Sequence, residues 1–126
     1  MDQSDVDRWL ERYVAAWKSG DREEIGDLFS ADVRYRYHPT DEPLEGRDAV
    51  VESWFEEPDE PDSFAADYQC FVADGDAAVA VGTSTYFAPD GSVQRIYDNV
   101  FTLRFDAAGR CSEFTEWFMK RPDATA

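Results

Sequence analysis

The sequence predicts an α+β domain, with helices first and a mainly antiparallel sheet after them. Apolar residues recur at helical spacing from Ser4 to Lys18. From Ser63 onward the pattern changes to alternation with period two, punctuated by turn residues. The helical segments precede the strands instead of interleaving with them, which is the order of an α+β chain and not of a parallel βα fold.

The first helix is expected over Ser4–Lys18, where Val6, Trp9, Leu10, Tyr13, Val14 and Trp17 form one broad apolar stripe. Ser4 is its expected cap, with Asp7 three residues on, and Ser19-Gly20 stops it. Asp21 then caps a short second helix carrying Ile25, Leu28 and Phe29 on its buried side. Asp32–His38 alternates Val33, Tyr35 and Tyr37 against Arg34, Arg36 and His38, which makes a half-buried strand. Pro39–Gly46 reads as loop, Arg47 to about Glu56 as a third helix, and Glu56–Asp62 as a charged, Pro-broken connection. Two strands, Phe64–Ala73 and Asp76–Ala88, meet at Asp74-Gly75, and Pro89-Asp90-Gly91-Ser92 is the next turn. The last two strands, within Arg95–Lys120, are joined at Asp106-Ala-Ala-Gly109 and complete a meander of four. A sheet with helices packed on one face leaves a pocket where the curved sheet and first helix diverge.

The 126 residues suffice for one domain, here 1–126, with its own core, and 43% hydrophobic content with 19 aromatic residues offsets a net charge of −16. That charge repels nucleic acid and anionic membrane surfaces. Two lysines stand against ten arginines and seventeen aspartates. The bias fits an ordinary acidic cytosolic protein, and equally one kept soluble in concentrated salt. Cys70 and Cys111 match no metal spacing and read as free, partly buried thiols. No apolar run nears the roughly 18 residues of a membrane span, and the N-terminus has no signal pattern, so a soluble cytoplasmic protein is expected. A single histidine, no cysteine cluster and no phosphate or dinucleotide fingerprint leave no metal and no cofactor expected.

Alternation in the final hairpin puts Asn99 in step with Tyr97, Phe101, Leu103 and Phe105, and Glu116 in step with Phe114 and Phe118. A carboxylate on an apolar face loses water, its pKa rises, and it becomes a better acid or base near neutral pH. A one-residue slip would turn Glu116 outward and bury Glu113, Thr115 and Trp117 instead. Asp98, on the opposite face from Asn99, is placed to pair with an arginine.

The segments WLERYVAAWKSGDREEIGDLFSADVRYRYHP, EGRDAVVESWF and FDAAGRCSEFTEWF resemble the SnoaL-like branch of the nuclear transport factor 2-like superfamily over nearly the whole chain. The resemblance implies a cone: a strongly curved, mainly antiparallel sheet wrapped around three N-terminal helices, with a pocket at the wide end and frequent dimerisation through the sheet. It does not fix the chemistry, since the superfamily hosts isomerases, dehydratases, cyclases, epoxide hydrolases and plain binding proteins. Tyr13 matches the helix-one tyrosine of ketosteroid isomerases. The base and the second acid of those enzymes fall on Tyr37 and Phe101, so steroid isomerase chemistry does not carry over. Thr115-Glu116-Trp117-Phe118 is similar to the last-strand acid segment of limonene epoxide hydrolase, with Tyr35 as its first-strand tyrosine. That enzyme's Arg-x-Asp pair has no counterpart in Val81–Thr85. The lone late acid of SnoaL-type polyketide cyclases resembles Glu116 in type and place.

The expected catalytic set is therefore Glu116, Tyr13 and Asn99. Trp17, Tyr35, Tyr37, Trp54, Tyr97, Phe101, Phe114 and Phe118 are the expected pocket wall for a small hydrophobic, oxygenated molecule. His38, at a strand end before Pro39, is expected at the surface or rim. Two functions fit: a cofactor-independent isomerase, cyclase or hydrolase, and a non-catalytic binding or dimeric interaction domain. A homodimer is implied in either case.

Overall fold

The structure, a computed structural model, describes residues 1–56 and 58–122. Helix α1 (Gln3–Ser19) is capped by Asp2, not by Ser4. Asp2 accepts from the Asp5 amide at 2.9 Å while Asp5 accepts from the Asp2 amide at 3.1 Å, so two free donors are satisfied reciprocally. Asp7, the expected partner of Ser4, instead accepts from the Cys70 amide at 2.6 Å and ties the helix to a strand. At the other end Gly20 takes the left-handed conformation (φ 65°), and its amide returns to the Ala16 carbonyl. Helix α2 (Arg22–Asp27) is capped by Asp21 as the sequence predicts.

Strand β1 (Phe29–Arg36) begins three residues before the alternation indicates and ends before His38. Phe29 and Ser30 lie buried there without alternating, and Phe29 pairs with Cys111. Strand β2 (Leu44–Glu45) lies inside the expected loop and pairs antiparallel with β1. Two residues are too few to carry a period. Helix α3 (Arg47–Trp54) stops short of Glu56, and its Arg47 Nε donates to the Phe29 carbonyl at 3.0 Å.

The long strands β3 (Phe64–Asp74), β4 (Ala77–Phe87), β5 (Val93–Phe105) and β6 (Cys111–Lys120) fall where expected. The sheet order is β2-β1-β6-β5-β4-β3. It is curved and unclosed, and it is mixed because β1 runs parallel to β6 while every other pair is antiparallel. A register shift in β3 between Cys70 and Val72 leaves Phe71 unpaired and 71% exposed. The core forms where α1 lays Val6, Trp9, Leu10 and Tyr13 against Phe101, Leu103, Phe105 and Phe114 on the inner face. Each such side chain contributes about 1.5–3 kcal/mol on burial. Trp9, sunk among Phe29 and Phe105, satisfies its indole N–H at the Leu28 carbonyl, 3.0 Å away. Cys70 and Cys111 are free and buried. No described helix is long and apolar enough to cross a membrane.

Candidate functional site

Strand β4 turns small residues inward, Ala78, Ala80, Gly82 and Ser84, so the middle of the sheet has a low floor. Gly82 is required there. A β-carbon would collide with the Asp67 carbonyl and come within 2.6 Å of the Tyr68 ring, which lies across it. Above this floor opens a cavity of about 620 Å³.

The hairpin register places the polar floor. Gly82 pairs with Asn99, Asn99 with Phe118, and Phe101 with Glu116, so Asn99 and Glu116 sit diagonally on one face. Ser84 Oγ donates to Asn99 Oδ1 at 2.9 Å, and Asn99 Nδ2 donates to Glu116 Oε2 at 2.8 Å. The ionised carboxylate only accepts, so it takes the amide's Nδ2 and leaves Oδ1 to the Ser84 hydroxyl. Among the described residues Glu116 Oε1 has no protein partner, which leaves that oxygen for a ligand. Glu116 is half-buried and turned inward, Trp117 is 42% exposed on the other face, and Asp98 pairs outside with Arg121 at 2.8 Å. The expected register is the observed one.

All six tyrosines of the chain line the cavity: Tyr13, Tyr35, Tyr37, Tyr68, Tyr86 and Tyr97. Trp17, Trp54 and Phe118 complete the expected wall. Phe101 and Phe114 do not belong to it. They are 1% and 0% exposed and lie one layer behind, covered by Tyr68 at 4.7 Å from Phe101 and by Tyr35 stacked at 4.4 Å on Phe114. The sequence reading missed Tyr68, Ser84, Tyr86 and Ser53 as wall residues, although Tyr68, Ser84 and Tyr86 fall in the inward phase of their strands. His38 stands at the rim, half exposed, its Nδ1 2.9 Å from Asp41 Oδ2 and its ring beside Phe118. Glu56 and Asp59 border the opening, and Asp59 accepts from the Trp17 indole at 3.1 Å.

The SnoaL-like domain family matches residues 10–114. The chain belongs to this family. No functionally curated protein matches the sequence. Solved structures share the fold. A nuclear transport factor 2-like protein of unknown function from Burkholderia xenovorans superimposes with a TM-score of 0.72 at 18% identity, over 98% of this chain and 90% of that one. One from Cytophaga hutchinsonii gives 0.65 at 13%, over 90% and 98%. A candidate ketosteroid isomerase from Kribbella flavida gives 0.65 at 21%, over 96% and 82%.

Within this SnoaL-like domain, burial pushes the Glu116 carboxyl up to about 7, against smaller opposing pulls from the Asn99 amide and His38. Burial also drives the Tyr13 and Tyr35 phenols well above their usual range, with the Glu116 charge adding to it, so both keep their protons at any physiological pH. Tyr37 differs. Ser53 has one hydroxyl proton and donates it to the Val50 carbonyl at 2.7 Å, so the 2.8 Å contact between Tyr37 and Ser53 is a donation from Tyr37. Tyr13 and Tyr35 lie deeper, their phenols interacting with each other and Tyr35 also with the Trp54 indole. Chemically, the SnoaL-like site combines one proton carrier poised near neutrality with neutral hydroxyl donors in an aromatic enclosure. Among the described residues no cluster of metal-ligating side chains occurs.

Proposed function

We propose that this SnoaL-like domain is a cofactor-independent enzyme, an isomerase, cyclase or hydrolase, in which Glu116 moves a proton on a small, hydrophobic, oxygenated molecule. The observation that carries this reading is the Glu116 carboxyl itself, raised to about 7 in an aromatic cavity and held through one oxygen by the Asn99 amide, whose other end accepts from Ser84. Below that value the acid is protonated and donates; above it the carboxylate accepts, so both halves of a proton relay lie within reach at neutral pH. Tyr13 and Tyr35 hold the oxygen on which negative charge develops, as neutral donors on the deep aromatic wall. Asn99 keeps the carboxyl in one orientation.

The test is a screen of small enones, epoxides and β-keto esters, followed by absorbance, with the wild-type chain and Glu116→Gln side by side. The variant is expected to lose about a hundredfold or more in turnover. Turnover retained within about tenfold would assign the chemistry to another group.

A second reading, a binding domain without turnover, is favoured by one feature: Tyr37 and Phe101 stand where a steroid isomerase carries its acids, so the deep wall holds a single carboxyl. Saturable binding without conversion across the screen would select it. In both readings two chains associate through the outer sheet face, where Val81, Val100 and Trp117 stand in one row across β4, β5 and β6. Sedimentation at micromolar concentration tests this, and a strict monomer would remove the dimer from the proposal.

A further inference from the structure

The charges around the cavity are one-sided. Among the described residues three carboxylates line it: Glu116 on the floor, with Glu56 and Asp59 at the opening. Among the described residues the lining contains no lysine and no arginine. The rings at the mouth meet edge to face, with Trp17 against Tyr86 at 6.4 Å, Tyr86 against Tyr97 at 5.8 Å and Tyr97 against Phe118 at 5.4 Å. Aromatic faces carry negative potential, and several rings around one space form a box that attracts a positive group with little hydration. One of these rings, and a ring stacked behind another, already carry cations. The Arg95 guanidinium lies 4.3 Å from the centroid of Tyr86, and the Lys18 ammonium lies 4.4 Å from that of Phe64, which stacks on Trp17 at 3.8 Å. Neither cation belongs to the lining. Arg95 also bonds Gln94, and Lys18 is held by the Pro61 and Phe64 carbonyls.

We propose that the cavity selects an organic cation, a small oxygenated molecule whose alkylated nitrogen lies among the tyrosine and tryptophan rings at the mouth while its oxygen-bearing end reaches the floor. This rests on the reading of the cavity as the substrate site and names the substrate class. Electrostatics and shape act together here. A carboxylate or phosphate would face three acids with no lysine or arginine in the described lining to receive it, since the rim imidazole of His38 is already paired with Asp41, and a neutral molecule of the same shape would gain the packing without the charge term. The alkyl groups on nitrogen match the width of an aromatic box and lower the cost of removing water from the charge.

Three probes of nearly one shape separate these contributions: choline, its neutral isostere 3,3-dimethylbutan-1-ol, and 3,3-dimethylbutanoate. Each is titrated into the full chain while the indole N–H signals are followed by NMR in about 0.3 M NaCl, which screens nonspecific attraction to a chain of net charge −16. Trp17 and Trp54 line the cavity, whereas Trp9 is buried in the core and Trp117 lies on the outer sheet face, so the four indoles report where a probe sits. The expected result is saturable movement of Trp17 and Trp54 by choline, with Trp117 unmoved and affinity at least about tenfold above that for the alcohol, the scale of a desolvated cation–π contact. Tyr86→Leu should weaken choline and leave the alcohol nearly unchanged. Because that ring also packs against Trp17, Asp59→Asn serves as a second variant and should weaken choline alone. Equal or tighter binding of the alcohol or the carboxylate, or no saturable movement with choline, would overturn the proposal. Turnover of neutral substrates by Glu116 with indifference to choline would sink this inference and keep the proposed enzyme. Choline binding with turnover unaffected by Glu116→Gln would do the reverse.

Discussion

Replacing Glu116 by glutamine should stabilise the fold at alkaline pH and leave it nearly unchanged in mild acid. The carboxyl has its ordinary value of 4.5 in the unfolded chain and about 7 in the folded one. The folded chain therefore holds the proton more tightly, so this group's contribution to stability is full below about pH 4.5 and is lost as pH rises through about 7. The gap, 7 minus 4.5, is about 2.5, and at ~1.36 kcal/mol per pKa unit the loss on the alkaline plateau is about 3 kcal/mol. Glutamine has the same shape, still accepts from Asn99 Nδ2, and never acquires the buried charge. Urea unfolding followed by tryptophan fluorescence, on both proteins at about pH 5 and about pH 8, measures the difference, because the titration of every other group cancels between them. The advantage of the variant should widen by about 2–3 kcal/mol between the two conditions, or about 1–2 M in the urea midpoint. An advantage that does not change with pH would mean that Glu116 titrates as a solvated carboxylate, and the argument for its chemistry would fall with it.

Three further outcomes follow from the same floor and core. Ser84→Ala removes the donor that orients Asn99. The cost should be about 1–3 kcal/mol for an unsatisfied buried acceptor, and the Glu116 titration, read by carboxyl carbon NMR, should move upward as the amide that lowers it loses its hold. An unchanged titration would show that Ser84 does not act on Glu116 through Asn99. Gly82→Ala drives a methyl into the Tyr68 backbone and ring, with an expected loss of about 1–3 kcal/mol in a urea melt and a displaced Tyr68. Native stability in that variant would show that β3 can retreat freely. Cys111, fully buried and with its thiol pushed far up by burial, should resist iodoacetamide at neutral pH in the folded chain and react once unfolded; mass spectrometry distinguishes the two states.

The final hairpin was legible because alternation in a strand has no freedom once its loop is located. Asn99 and Glu116 face inward together for the same reason that Asp98 and Trp117 face outward. Depth was not legible. Phe101 and Phe114 share the face of Glu116, but Tyr13 from α1 and Tyr68 from β3 lie over them. Which ring ends on top is settled by helix-on-sheet packing, to which a period of two is blind. Ser84 looked like one more small residue of β4 until its hydroxyl met Asn99, fifteen positions away. The helix cap moved from Ser4 to Asp2 because two neighbouring capping patterns competed, and Asp7 found a better partner in the Cys70 amide.

The strand order has a consequence in time. Strand β6 follows every other strand along the chain, yet it is inserted in the middle of the sheet, between β1 and β5. Until residues 111–120 are in place, β1 and β5 each present an unpaired edge, and the helical half meets the meander only through contacts of α1 such as Asp7 with the Cys70 amide. The parallel contact of Phe29 with Cys111 closes a loop of about eighty residues, the kind of distant pairing that slows folding. Glu116 rides on that keystone strand. A half-made chain can therefore complete neither the sheet nor the polar floor formed by Asn99 and Glu116.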